Sequence, residues 1–90
     1  MHSYTKLFQP YLLELAEQHR QKQHLSQEHM AELLRITPRS YSALKNGQNS
    51  LSASVLLLLL LLLPEEEVLQ FLQKMRTVIK EADHNKSLEH

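Results

Sequence analysis

The stretch Leu25-Ser26-Gln27-Glu28-His29-Met30-Ala31-Glu32-Leu33-Leu34-Arg35-Ile36-Thr37-Pro38-Arg39-Ser40-Tyr41-Ser42-Ala43-Leu44-Lys45-Asn46-Gly47 carries two helix-start signals and one stop. Ser26 offers a hydroxyl cap with Glu28 in the first turn, and Met30, Ala31, Leu33 and Leu34 then recur at helical spacing. That predicts a helix of about nine residues. After Arg35-Ile36 the same grammar returns: Thr37 caps, and Pro38 stands at the first helical position, where no backbone N–H is needed. Tyr41 and Leu44 point inward, three residues apart. Asn46-Gly47, with the only glycine of the chain, ends the helix at a natural left-handed position.

Working outward, Tyr11 to Lys22 has apolar residues at 11, 12, 13, 15 and 16 and reads as a helix with one buried face. Pro10 suits its first turn, so residues 3 to 9 are expected as a separate turn or a kinked extension. On the other side Ser52 or Ser54 caps a helix that carries eight leucines in a row, Leu56 to Leu63, and Pro64 stops it. Pro64-Glu65-Glu66-Glu67 opens a fifth helix, with three acids near the positive end of its dipole. There Val68, Phe71, Met75, Val78 and Ala82 form a stripe that Leu69, Leu72 and Ile79 widen, broad enough to cover two neighbours. From Asp83 to Lys86 the pattern is lost and fraying is expected. Leu88-Glu89-His90 looks like the start of a vector-encoded histidine tag.

Composition agrees with one all-α domain. Ninety residues suffice for a single small core, and 42% apolar content with one glycine and three prolines suits neither disorder nor a β-rich fold. No cysteine is present, which removes disulfides and thiolate zinc sites and fits a reducing cytoplasm. Nine apolar residues from Val55 to Leu63 make a helix roughly 14 Å long against about 30 Å of bilayer hydrocarbon, so the leucine row argues against a membrane span. The N-terminus lacks the charged flank and apolar run of a signal peptide. His19, His24 and His29 are spaced by five, which does not stack them on one helical face, so no metal site is expected. Neither a glycine-rich phosphate loop nor a nucleophile–base signature is present, and no enzyme activity or cofactor is expected. Net charge is zero but uneven. Residues 20 to 50 are net +3, from Arg20, Lys22, Arg35, Arg39 and Lys45 against Glu28 and Glu32, which suits one anion-binding face.

Two short helices joined by about three residues, the second capped and exposed, form the helix-turn-helix arrangement that places one helix in a DNA major groove. Leu25-Ser26-Gln27-Glu28 with Ala31, Leu34 and Ile36, then Thr37-x-x-Ser40-x-x-x-Leu44-x-Asn46-Gly47, resembles the Cro-like phage-repressor, or XRE-type, family from about Arg20 to Pro64. The resemblance implies an all-α, five-helix phage-repressor-like fold, with the helix-turn-helix DNA-binding domain over residues 1 to 64; the last helix, over 65 to 83, is expected from its broad apolar stripe to serve dimerisation. The resemblance also implies that Leu56, Leu59, Leu60 and Leu63 face the core. Where the family usually has glycine at the end of the first helix and in the turn, this chain has His24 and Arg35. A non-glycine residue in the left-handed region costs on the order of 1 kcal/mol.

Carried over by position, the resemblance implies a cytoplasmic transcriptional regulator, a repressor, that binds double-stranded DNA as a homodimer. Pro38, Arg39, Ser42 and Ala43 would face base edges, while Gln27, Thr37, Ser40, Lys45, Asn46 and Arg35 would touch phosphates, and Arg20 and Lys22 would add phosphate neutralisation. Chemistry supports some of these roles directly: Arg39 can donate two bonds to guanine, and Ala43 can lie against a thymine methyl. Leu58, Leu61 and Leu62, left in water, would each forgo roughly 1.5 to 3 kcal/mol of burial, so something should cover them. Together with Val68, Phe71, Leu72, Met75, Val78 and Ile79 they make the expected dimer interface, the rival being that the last helix folds over its own domain. The alternative function is a protein-interaction module, such as an antitoxin or antirepressor-type partner with little DNA affinity, which zero net charge and the missing glycines favour.

Overall fold

The computed structural model describes residues 4–88, with side chains described through residue 85. Within it lie five helices and no strand: α1 (Tyr4–Lys22), α2 (Gln27–Leu33), α3 (Pro38–Lys45), α4 (Ala53–Leu62) and α5 (Glu65–Leu88). The expected caps are in place. Backbone N–H groups of His29, Ser40 and Val55 donate to the hydroxyls of Ser26, Thr37 and Ser52. Each satisfies an orphan donor of a helix start. Ser52, rather than Ser54, therefore caps the leucine helix, and Leu63 ahead of Pro64 leaves the helical region with ψ 149°.

The core lies where α2 and α3 cross, closed from above by α1 and α4. Met30, Ala31 and Leu59 are fully buried, Leu34 and Tyr41 nearly so, and Ala16 and Val55 complete the cluster. Ala31 is small because two short helices cross closely there; a longer side chain would force them apart.

Three features depart from or sharpen the sequence expectations, each with a physical cause. Of the two alternatives before Pro10 the extension is the one formed, α1 being helical from Tyr4, the first described residue, through Pro10, and the last helix continues past Ala82 to Leu88. These two ends meet. α5 runs antiparallel to α1: Lys22 pairs with Glu67 at 2.8 Å, Lys74 lies over the Tyr11 ring, and the Tyr4 hydroxyl donates to Asp83 at 3.1 Å. Each extension gives the other a surface, which local pattern does not reveal. The third departure is the phase of α4. Val55, Leu59 and Leu63 are buried, and Leu58 and Leu62 pack against the core. Leu56 and Leu60, expected to face inward, are half-buried. Leu57 and Leu61 face outward, 59% and 71% exposed. A helix that is leucine on every side has no polar residue to announce its orientation. Glu89 and His90 of the tag-like end lie outside the described residues, as does the side chain of Leu88.

Candidate nucleic-acid interface

The expected reading helix, α3, is anchored through one carboxylate. Glu17 of α1 accepts the Tyr41 hydroxyl at 2.6 Å, takes a two-pronged contact from the Arg20 guanidinium at 2.8 and 3.0 Å, and lies 3.4 Å from the Lys45 ammonium. Arg20 also donates to the Leu25 carbonyl, so the same cluster fixes the turn between α1 and α2. The Arg20 hydrogen bond, with Tyr41 and Lys45, holds the Glu17 carboxyl down at about 2 although partial burial works the other way. Burial, and then Glu17, pushes the Tyr41 hydroxyl above the usual phenol range.

The turns on either side of α2 use the left-handed region. His24 has φ 57° and Arg35 φ 61°, the positions where glycine was expected, and Gly47 has φ 75°. Helix ends there are closed by backbone bonds, Leu25 N–H to the Arg20 carbonyl, Ile36 N–H to Ala31, and Gln48 N–H to Ala43. The left-handed conformation is thus adopted at both turns by side chains that resist it.

With Tyr41 and Leu44 buried, α3 turns Pro38, Arg39 and Ser42 outward, with Ala43 half-buried beside them. Gln27 is exposed at the start of α2, Asn46 just past α3, and Arg35 in the turn between. The remaining three candidates are less free. The Thr37 hydroxyl caps α3 and also donates to the Ser40 hydroxyl at 3.0 Å, and Lys45 leans toward Glu17. Two residues beyond the sequence expectation join the face: Gln48 and Asn49 line one shallow concavity with Arg39, Ser40, Ser42 and Ala43. Their signal in the sequence was only their place just after Gly47. Gln9 fixes that loop, its amide donating to the Asn49 carbonyl at 3.0 Å and accepting the Leu51 N–H at 3.4 Å.

A helix-turn-helix family model matches residues 17–68, more than half of the chain and the whole of α2, α3 and α4. The chain belongs to the XRE-type helix-turn-helix family. No curated protein and no solved structure matches it significantly. Membership makes this XRE-type domain a protein of the DNA-binding, transcription-regulator kind. No described helix is long and apolar enough to cross a membrane.

Of the residues expected in the interface between XRE-type protomers, Met75 is buried within the single chain and Leu58 and Leu62 pack on its own core. Val68, Phe71, Val78 and Ile79 are half-buried, and Phe71 lines the groove between α5 and α1 with Tyr11 and Leu15. Leu61, Leu72 and also Leu69 are exposed.

Proposed function

We propose that this domain is a sequence-specific repressor that binds operator half-sites as a homodimer, with α3 in the major groove of each. The supporting observation is the outward row of Pro38, Arg39 and Ser42, with half-buried Ala43 beside it, on a short helix whose other side is buried and tied to Glu17 through Tyr41. Arg39 supplies direct readout of guanine, Pro38 and Ala43 supply apolar contact, and Ser42 can donate or accept. Phosphate contacts fall to Gln27, Arg35 and Asn46, with Ser40 and Lys45 at the margin; such contacts set register rather than sequence. Gel-shift titration against selected operators tests the assignment. Arg39→Ala should cost roughly 1 to 3 kcal/mol on the preferred site and relax preference at one base pair per half-site. Unchanged affinity and preference would remove α3 from the groove.

A second reading has its own observation. Leu57 and Leu61 are exposed on α4, and three of the five cations in the basic segment are paired with acids inside the chain. Both suit a protein-interaction module such as an antitoxin. Heparin retention separates the two: elution by moderate salt supports DNA binding, and no retention at any salt supports the protein partner.

A further inference from the structure

The stripe that the sequence offers for dimerisation, residues 68, 71, 75, 78 and 82, is turned toward the chain's own α1. Lys22–Glu67 and Lys74–Tyr11 flank it, and Met75 is buried. A second stripe on α5 is turned to the surface: Glu65, Leu69, Leu72 and Arg76, in steps of four, three and four. At 3.6 residues per turn these four lie within an arc of about 60°. Leu69 is 60% and Leu72 45% exposed, Glu65 and Arg76 are exposed, and neither belongs to an ion pair among the described residues.

We infer that the homodimer forms by antiparallel packing of this outer stripe of α5 on the same stripe of a second copy. The inference rests on the homodimer reading above and names its surface. The order of residues is what selects the occupant. The stripe is symmetric about the point midway between Leu69 and Leu72, with an acid as far before that point as the base is after it. A second copy related by a two-fold axis through that point sets Leu69 against Leu72 of the second copy and Glu65 against Arg76 of the second copy, twice over. Parallel packing would instead set Glu65 on Glu65 and Arg76 on Arg76. Nucleic acid is disfavoured on this face by Glu65 at its start and by Glu66 beside it. The fit is a property of the chain with itself, since an isologous contact needs one surface complementary to its own rotated image. It also frees the Leu58, Leu62 and Met75 side chains, expected in the interface from sequence, to serve the core where they lie.

Sedimentation equilibrium of the full chain over a wide concentration range tests this, with circular dichroism to establish that each variant is folded. Leu69→Glu should raise the dimer dissociation constant by roughly a hundredfold. Glu65→Arg and Arg76→Glu alone should each raise it, on the order of tenfold, and the two together should bring it back to within about threefold of wild type. The charge exchange decides the matter even where Leu69→Glu fails to fold, because both positions are exposed. A wild-type dimer that survives Leu69→Glu, or single charge reversals that the double exchange does not repair, would overturn the surface and leave the homodimer standing. A wild type that is monomeric at every concentration, and one chain per half-site on DNA without contact between them, would overturn the homodimer reading and the inference with it.

Discussion

Glu17 illustrates how one side chain can set the orientation of a helix it does not belong to. It lies on α1, twenty-four residues from Tyr41, and its carboxylate joins α3, its own helix and, through Arg20, the first turn. Sequence pattern gave no hint of this, because a hydrogen bond across such a separation exists only once α1 and α3 are packed. The cost of losing it can be read in pH. The folded-state carboxyl sits at about 2 against an ordinary value of 4.5, so the unfolded chain binds the proton more readily between those values. Its contribution is therefore complete above about 4.5 and is lost as pH falls toward 2. For a carboxylate one-fifth exposed, solvent screening reduces the contribution to roughly 1 to 2 kcal/mol. Urea midpoints from pH 6 to pH 2 should fall more steeply for wild type than for Glu17→Gln; parallel curves would remove Glu17 as the source. His24 is the contrasting residue, legible in advance because its neighbours form a helix end where glycine is usual. At φ 57° it bears left-handed strain, so His24→Gly should raise stability by about 0.5 to 1 kcal/mol, less the chain entropy that glycine adds when unfolded. A thermal midpoint that drops would show that the His24 side chain contributes more than its backbone loses.

At the scale of elements, legibility tracked how local the cause was. α2, α3 and the boundary at Pro64 were readable because caps, an early proline and a glycine act within four residues of where they stand. The cap of α3 is correspondingly separable from its packing. Thr37→Ala removes the acceptor for the Ser40 N–H while leaving Tyr41 and Leu44 in place, and should lower stability by about 1 kcal/mol in a chemical-denaturation midpoint. A loss above about 3 kcal/mol would mean that the hydroxyl does more than cap. The outer ends of α1 and α5 were only partly readable: Pro10 left a separate turn or a kinked extension open for the residues before it, the residues past Ala82 carry no apolar stripe, and each end is extended alongside the other. α4 was legible as a helix and illegible in phase. Its leucines fix that something apolar surrounds it, but only the packed neighbours decide that Val55, Leu59 and Leu63 go inside and Leu57 and Leu61 outside. The candidate site divides the same way: the exposed positions of α3 follow from its buried ones, whereas Gln48 and Asn49 enter only through the fold of a loop that Gln9 holds.

For the whole molecule the decisive quantity is how many positive charges remain available to DNA. The basic segment has five cations, yet Arg20 and Lys45 face Glu17, and Lys22 faces Glu67. Arg35 and Arg39 are left exposed without an acidic partner among the described residues. With Arg39 on bases, as proposed, each domain would neutralise only about one or two phosphates, and the proposed dimer about two to four. With roughly 0.9 counterions released per phosphate, the slope of log affinity against log salt should lie between about −2 and −4. Fluorescence anisotropy on a selected operator between 50 and 200 mM salt measures it. A slope steeper than about −6 would mean that Glu17 and Glu67 surrender their lysines to the DNA, and the internal pairing would then be a feature of the free protein alone. A shallow slope has a further consequence. Little affinity then comes from the backbone, which every sequence shares, so random DNA holds this protein weakly and the contacts of Pro38, Arg39, Ser42 and Ala43 must carry most of the binding. Two copies held at a fixed separation would compensate, since the second half-site is then engaged at high effective concentration. That dependence ties the spacing of half-sites, about 34 Å or a multiple of it, to the contact between copies, so a variant that dissociates the dimer should lose operator affinity without changing which bases each domain prefers.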